Sequence, residues 1–277
     1  MRIAAAWMAL VALFLAACGG GNQVIVASTT STQDSGLLDV LLPLFEERTG
    51  YNVKLVAVGS GQALAMAERG DADALLVHAP EAEEELVDEG VVVDRRLVMH
   101  NDFIIVGPED DPAGIGGEKS ATAAIKAVFE AGSPFISRGD ESGTHRLELK
   151  LWEKAGLSPR GRPWYEESGQ GMGATLQIAN QRKAYTISDR GTYLSQRKNL
   201  DLVVPVEGDP LLLNVYHVMA VNPERFGRVN GEGARAFVEF MASEEAQEII
   251  RTFGFAEFGE PLFVPDAGKV ESDLGLE

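Results

Sequence analysis

Two hydroxyl-rich turns contain the polar residues of this chain that are best suited to contact a ligand. Residues 28–32 (STTST) follow the apolar run at 24–26, and residues 137–144 (SRGDESGT) follow the apolar run at 134–136. Each pattern predicts a buried strand whose turn opens a helix, and such a junction points unpaired backbone N–H groups at one spot. The hydroxyls and Arg138 add many donors with little net charge. The combination indicates a receptor for a small oxyanion rather than a catalytic centre.

Both turns also have ordinary structural interpretations. Serine and threonine are preferred helix N-caps, although a cap explains one hydroxyl and not the whole of residues 28–32. Arg138 could form a surface salt bridge with Asp140 or Glu141, or Asp140 could hold its guanidinium in place. Arginine is nonetheless the best planar donor for tetrahedral oxyanions. A third turn at residues 59–61 (GSG) is weak evidence alone, but it would lie at the same sheet edge, where open α/β sheets bind ligands.

The order of elements predicts an α/β fold. Strand-like apolar runs alternate with helical patterns over most of the chain. We expect, among others, a strand at residues 103–106, an acidic and solvated helix at 81–89, and one long amphipathic helix at 234–253.

The length of 277 residues exceeds what one core usually holds, so we expect two lobes. Lobe I comprises residues 23–106 and 214–277, and lobe II comprises residues 107–213. The two crossings, near Val106 and near Leu213, are the expected hinge strands.

The N-terminus has the pattern of an export signal. A basic start at Met1-Arg2 precedes a short apolar stretch, so we expect residues 1–17 to be a signal peptide. Leu-Ala-Ala-Cys at residues 15–18 resembles a bacterial lipobox, which predicts lipidation of Cys18 and a tether at residues 18–22; a plain signal peptide is the alternative. The expected location is therefore the periplasm or the outer face of the cell membrane. Since Cys18 is the sole cysteine, no internal disulfide is expected.

The net charge of −18 argues against nucleic acid or an anionic membrane face as a partner, because both would repel the chain. It does not exclude a small anionic ligand, since short-range donors decide such binding and surface charges beyond about 10 Å are screened. We expect no cofactor and no metal site, because the four histidines have no metal-ligand spacing. We expect a monomer that meets the membrane only through its lipid anchor.

Several segments together resemble the periplasmic tungstate-binding proteins of the TupA type, which are solute-binding proteins of ABC importers. The resemblance covers nearly all of the chain after the signal peptide. It rests on residues 28–36 (STTSTQDSG), 59–64 (GSGQAL), 70–80 (GDADALLVHAP), 101–103 (NDF), 137–145 (SRGDESGTH), 169–176 (GQGMGATL) and 206–210 (VEGDP). The family has threonine where this chain has Ser28, a change that keeps the hydroxyl.

The resemblance implies a two-lobe Venus-flytrap fold of type II that closes on tungstate, with molybdate as a further candidate, and delivers it to an ABC permease. The implied ligand residues fall into two groups. The Thr-Thr-Ser run at 29–31 and Arg138 match oxyanion-binding positions of the family, and Ser60 and residues 142–144 are placed by analogy with related phosphate binders. The candidates are Ser28, Thr29, Thr30, Ser31, Ser60, His78, Arg138, Ser142, Gly143 and Thr144.

His78 bears on which anion is held. Phosphate binders of similar design carry an aspartate after the third strand, which accepts the proton of a partly protonated anion; His78 stands at the corresponding position. Histidine can donate a hydrogen bond to an anion that has no proton. Without the aspartate, the site lacks an acceptor for the proton of hydrogen phosphate, so we hypothesise that it rejects this anion. A structural hydrogen bond from His78 to the backbone is the alternative. Molybdate, sulfate or phosphate remain alternative ligands.

An enzyme and a structural module are the alternatives from other classes. The chain has no G-x-S-x-G elbow, P-loop or dinucleotide fingerprint. The sequence at residues 139–143 superficially resembles a protease nucleophile loop, but His145 is too close in sequence to be a convincing base for a Ser/His hydrolase. A lipid-anchored adhesin would show no thermal shift with any oxyanion. We expect a binding protein, not an enzyme.

Overall fold

The structure is a computed structural model that describes residues 22–140 and 142–276. The predicted signal peptide and Cys18 lie outside the described residues. The first part of the chain forms β1 (Gln23–Thr29), α1 (Thr30–Asp34), α2 (Leu37–Thr49), β2 (Asn52–Val58), α3 (Ser60–Arg69), β3 (Ala74–Val77), α4 (Pro80–Asp88) and β4 (Val92–Pro108).

The rest of the chain begins with the same alternation and ends with three consecutive helices before the last strand. They are α5 (Ala121–Ala131), β5 (Phe135–Ser137), α6 (Gly143–Lys154), β6 (Tyr165–Glu167), α7 (Met172–Arg182), β7 (Thr186–Asp189), α8 (Arg190–Gln196), β8 (Leu202–Val206), β9 (Leu213–Val221), α9 (Gly231–Met241), α10 (Glu244–Thr252), α11 (Phe255–Phe258) and β10 (Val264–Pro265). Short 3-10 turns lie at Arg197–Asn199, Pro210–Leu212 and Glu271–Leu274.

The main sheet has the strand order β10-β4-β9-β3-β1-β2. Strand β1 runs parallel to β2 and β3, whereas β9 is antiparallel to β3 and β4. Because the carboxyl ends of parallel strands meet at one edge, the turns after β1, β2 and β3 lie side by side there. This is how the hydroxyl run, the turn at residues 59–61 and His78 come to share one cleft.

The long strand β4 belongs to both lobes. It pairs with β9 as far as Asp102, and with β7 and β8 from Phe103 onward. Met99 packs in a core of lobe I and Ile105 in a core of lobe II. The crossing therefore lies at Asp102–Phe103, before the predicted boundary at Val106, because residues 103–106 pack in lobe II.

Helices cover both faces of the sheet in lobe I. On one face α2 and α9 meet through Phe45 and Phe237, whose ring centroids are 5.4 Å apart. On the other face α3 and α4 contribute Leu64 and Leu86 to a second buried cluster. A strand that is covered on both faces has apolar side chains at nearly every position. This is why β1 and β3 could be predicted from apolar runs in the sequence.

Three elements differ from the sequence predictions. The strand expected at 103–106 is the end of β4, whose first half was missed because the charged residues after Val93 interrupt its apolar pattern and Asp94 has a φ of 55°. The helix expected at 234–253 is two helices, since Ser243 caps α10 by accepting from the Ala246 N–H at 3.3 Å. Helix α4 is mostly solvated as expected, yet Glu83 is fully buried.

Candidate functional site

A cleft of about 1890 Å³ contains the predicted ligand residues of both lobes, with the exception of Ser28. Lobe I contributes Thr29, Thr30, Ser31, Ser60 and His78, and lobe II contributes Arg138, Ser142, Gly143 and Thr144. The two polar turns seen in the sequence thus face a shared space.

Ser28 does not line this cleft. Its side chain is fully buried in β1, and its hydroxyl donates to the backbone carbonyl of Leu76 at 2.7 Å. The hydroxyl therefore ties β1 to β3 instead of facing a ligand. We leave Ser28 out of the proposed ligand set for this reason.

The hydroxyls after β1 form a connected cluster. Thr29 caps α1, because its Oγ1 accepts from the Thr32 N–H at 3.2 Å. The same Oγ1 lies 3.1 Å from Ser31 Oγ and 2.6 Å from Thr32 Oγ1. Thr30 and Ser31 are exposed in the first turn, and both line the cleft. The capping interpretation is correct for Thr29, and it leaves Thr30 and Ser31 without a capping role.

Two longer helices also begin at the cleft. Helix α3 starts at Ser60 with Gly59 as its N-cap, and α6 starts at Gly143 with Ser142 as its N-cap. Ser142 Oγ accepts from the His145 N–H at 3.3 Å. The first-turn N–H groups of a helix lack intrahelical partners and favour negative charge. The cleft is therefore lined with neutral donors from both lobes.

His78 occupies the turn after β3, and its Nε2 faces the hydroxyl cluster. Nε2 lies 3.2 Å from Thr29 Oγ1 and 3.5 Å from Ser31 Oγ, and the ring centroid is 4.8 Å from that of Tyr216. Burial lowers the pKa of His78, while the charge of Glu83 acts in the opposite direction. Since the pKa lies below the usual 6.5, the imidazole is mostly neutral at pH 7.

Arg138 approaches from lobe II. Its Nη2 donates to the carboxylate of Asp140, so the predicted salt bridge is present, but both side chains are mostly buried, at 18% and 24% exposure. Burial opposes ionisation of Asp140, yet hydrogen bonds from Ser142 and the charge of Arg138 hold the pKa of Asp140 below its usual value. The carboxylate thus stays charged and anchors the guanidinium.

One donor of Arg138 is left over. Its Nε is buried and has no hydrogen-bond partner within residues 22–140 and 142–276. A buried N–H without a partner is costly, and native proteins rarely keep one without a reason. Arg138 thus lines the cleft and also keeps one buried donor that has no partner among these residues.

The two lobes are close together around this site. A Cβ added to Gly143 would lie 3.9 Å from Cε1 of His78, so the turn opening α6 comes close to the turn after β3. At the rim, Lys150 of α6 donates to Glu81 of α4 at 2.9 Å. On another side, Arg197 donates to the carbonyl of Phe258 at 2.9 Å. Donors from both lobes can accordingly reach one small ligand.

A polar group on the hinge strands was not predicted from the sequence. Asn214 of β9 donates from Nδ2 to Asn101 Oδ1 at 2.8 Å and to the Tyr216 hydroxyl at 2.9 Å, and all three residues line the cleft. The sequence feature that could have indicated this group is a pair of polar residues, Asn101 and Asp102, inside an apolar strand. Asp102 accepts a bidentate pair from Arg190, with Arg190 Nε at 2.7 Å from Asp102 Oδ1.

Among the residues that the structure describes, no three His, Cys, Asp or Glu side chains are grouped so as to hold a metal ion. In the same part of the chain no helix has both the length and the apolar character needed to cross a membrane.

Comparison with known proteins identifies the family. Residues 16–245 match the family model described as a PBP superfamily domain. The tungstate-binding protein TupA of Peptoclostridium acidaminophilum is 50% identical over 250 residues, covering 90% of this chain and 87% of the relative. A putative ABC transporter anion-binding protein of Haloferax volcanii is 48% identical over 262 residues, covering 93% of this chain and 76% of the relative.

A solved structure agrees with these relatives. The tungstate-binding protein TupA from Desulfovibrio alaskensis G20 superposes with a TM-score of 0.83 at 43% identity, covering 88% of this chain and 99% of that chain. The chain belongs to the TupA-type solute-binding proteins of ABC transporters. The predicted family and the two-lobe α/β fold are confirmed. As a TupA-type protein the chain is an extracytoplasmic binding protein and not an enzyme. The Ser/His hydrolase alternative is therefore wrong.

Proposed function

We propose that this TupA-type protein captures tungstate in the cleft between its lobes and delivers it to an ABC permease. The observation that carries the proposal is the buried and unpartnered Nε of Arg138, among residues 22–140 and 142–276, in a cleft lined by hydroxyls of the other lobe. A tetrahedral dianion would pair this donor, and charge-assisted hydrogen bonds of this kind are among the strongest in proteins. The names of the relatives from P. acidaminophilum and D. alaskensis support tungstate as the anion.

The proposed ligand set follows from the cleft. Oxygens of the anion are bound by Thr29, Thr30, Ser31 and Ser60 from lobe I, with His78, and by Arg138, Ser142, Gly143 and Thr144 from lobe II. The anion contacts the protein through its oxygens, and no protein atom bonds to tungsten. Because the ligand binds the closed form more tightly than the open form, it shifts the population toward closure.

The proposal extends to the location of the protein and to its oligomeric state. Export through the signal at residues 1–17 and lipidation at Cys18 would hold the protein at the membrane, through an anchor and a tether at residues 18–22. A stable anchor requires more than one acyl chain, since one chain binds membranes only marginally. We propose a monomer with lobe I and lobe II joined by β4 and β9.

The proposal is tested by calorimetric titration with tungstate, molybdate, sulfate and phosphate in one buffer. We expect tight binding of tungstate and at least about hundredfold weaker binding of hydrogen phosphate, which corresponds to about 2.7 kcal/mol. Molybdate is the most informative comparison, because its size and charge are nearly the same as those of tungstate. A phosphate affinity equal to that for tungstate would overturn the assignment, and binding of none of the four anions would remove the oxyanion function.

A further inference from the structure

The charge of the protein is divided unequally between the two lobes. Lobe I, which comprises residues 23–106 and 214–277, has 10 Lys and Arg against 27 Asp and Glu. Lobe II, which comprises residues 107–213, has 13 Lys and Arg against 15 Asp and Glu. The formal charges are therefore −17 for lobe I and −2 for lobe II. Nearly all of the repulsion that a dianion meets comes from lobe I.

The walls of the cleft show the same division. Within residues 22–140 and 142–276, all the Lys and Arg side chains that line the cleft belong to lobe II; they are Arg138, Arg146, Lys150 and Lys154. The Asp and Glu side chains of the lining belong to lobe I with one exception; they are Asp34, Glu81, Glu84, Glu257 and Glu271 of lobe I and Asp189 of lobe II. The cleft therefore has a cationic wall opposite an anionic wall.

Three of these cations lie on one face of α6. Arg146, Lys150 and Lys154 are spaced four residues apart, so they share one side of the helix, and all three are exposed. The helix begins at Gly143, in the turn that contains the proposed ligand residues of lobe II. With a rise of about 1.5 Å per residue, the three positions lie about 5 to 17 Å from Gly143 along the helix axis. This basic face of α6 is a row of positive charge along the cleft wall that ends at the ligand turn.

Structural roles account for only part of the basic face. Lys154 is the last residue of α6, where a cation suits the negative end of the helix dipole. Lys150 donates to Glu81 of lobe I at 2.9 Å. Arg146, in contrast, is the fourth residue of α6, near the positive end of the dipole, where a cation is unfavourable. Helix stability therefore does not explain Arg146, whereas an anionic ligand in the cleft does.

We propose that the basic face of α6 is the entry surface of the cleft, where Arg146, Lys150 and Lys154 attract the oxyanion from solution. The inference rests on the proposed function of the cleft. At physiological salt the Debye length is about 8 Å, so most of the distant acidic charge of lobe I is screened, while the cations on the cleft wall still act on the dianion. Clefts lined by charge of one sign raise the local concentration and the association rate of ligands of the opposite sign.

The sign of the salt dependence separates this proposal from an effect of the overall charge. Salt weakens the repulsion between a dianion and a protein with a net charge of −18, so repulsion alone would make association faster as salt is added. Salt also weakens the attraction by the basic face, which makes association slower. We expect the association rate constant of tungstate to fall between about 0.1 and 0.5 M NaCl, where the Debye length is at most about 10 Å.

The experiment is stopped-flow mixing with tungstate, followed by tryptophan fluorescence, with the dissociation constant measured by calorimetry on the same samples. The test variant is Arg146→Glu/Lys154→Glu, which leaves Lys150 and its contact with Glu81 in place. At about 0.1 M NaCl its association rate constant should be at least about fivefold below that of the natural protein. At about 0.5 M NaCl the difference should be less than about twofold, because the added charges are screened.

The matched control is Lys119→Glu/Lys126→Glu. It changes the net charge of lobe II by the same amount, at two exposed positions that do not line the cleft. Its association rate constant should stay within about 1.5-fold of that of the natural protein at about 0.1 M NaCl, because charges several Debye lengths away have little effect.

The outcomes separate the two proposals. A rate constant that rises with salt in the natural protein, or equal changes in both double variants, would overturn the inference and leave the proposed function standing. Absence of tungstate binding by the natural protein in calorimetry would instead remove the proposed function. If tungstate leaves the fluorescence unchanged, the same ratios are expected in the dissociation constants, and these decide. Should Arg146→Glu/Lys154→Glu fail to fold, Arg146→Gln/Lys154→Gln replaces it, with an expected loss of about two- to threefold at about 0.1 M NaCl.

Discussion

Replacement of Arg138 by alanine should weaken tungstate binding by about 10- to 150-fold. A hydrogen bond to a charged group is worth about 1.5–3 kcal/mol, and the variant loses such a donor opposite a dianion. The guanidinium is already fixed by Asp140 and is mostly buried, so little ordering is needed when the ligand arrives. Calorimetric titration of the folded variant measures the loss directly.

Two matched variants sharpen this prediction. Arg146→Ala removes a cation that also lines the cleft but is exposed on α6, and its affinity should change by less than about threefold, because exposed charges are screened. Arg138→Lys keeps the charge but lacks the planar fork, so its affinity should lie between that of the natural protein and that of Arg138→Ala. Equal affinities of the Arg138→Ala variant and the natural protein would show that Arg138 is not part of the site.

Replacement of Glu83 by glutamine should lower the free energy of unfolding by about 3–5 kcal/mol. The Glu83 carboxylate is fully buried and binds Arg95 Nε at 3.1 Å and His217 Nδ1 at 2.8 Å. It also accepts from the Ala79 N–H at 2.7 Å and so fixes the turn that carries His78. Glutamine is nearly isosteric but uncharged, so it leaves the buried Arg95 with less compensation.

Urea unfolding measured by circular dichroism checks this prediction. The control is Glu85→Gln on the same helix, where the side chain is exposed and the change should stay within about 0.5 kcal/mol. If both variants unfold at the same urea concentration as the natural protein, the buried cluster around Glu83 does not stabilise lobe I. A loss confined to Glu83→Gln would support its structural role.

Local patterns predicted much of the fold. The turn after β1 and the turn after β5 were evident because a short apolar run, a set of hydroxyls and a helical pattern follow one another within about fifteen residues. The first half of β4 was not evident from the sequence, because its burial depends on pairing with β9, which lies more than a hundred residues away. The break between α9 and α10 was also missed, because Ser243 in an amphipathic pattern is read as a solvent-facing residue until its capping bond is seen.

The candidate site was predictable in its residue types but not in its contacts. Thr30, Ser31 and Arg138 could be selected because hydroxyls and a guanidinium suit an oxyanion. Every residue of β1 from Val26 to Thr29 is buried, so the sequence does not reveal that the Ser28 hydroxyl faces Leu76. Nor does it reveal Asn214, whose contact with Asn101 joins residues 113 apart in sequence. Such contacts depend on strand register across the hinge, which composition and periodicity do not encode.

The most direct measurement is a crystal structure of the tungstate-loaded protein with anomalous data collected at a tungsten absorption edge. A single strong anomalous peak should lie between the lobes, with oxygens of the anion about 2.7–3.1 Å from Arg138 Nε and from the hydroxyls of Thr30 or Ser31. A peak elsewhere on the molecule, with Arg138 Nε and those hydroxyls left without the anion, would contradict a shared oxyanion site built from the two lobes.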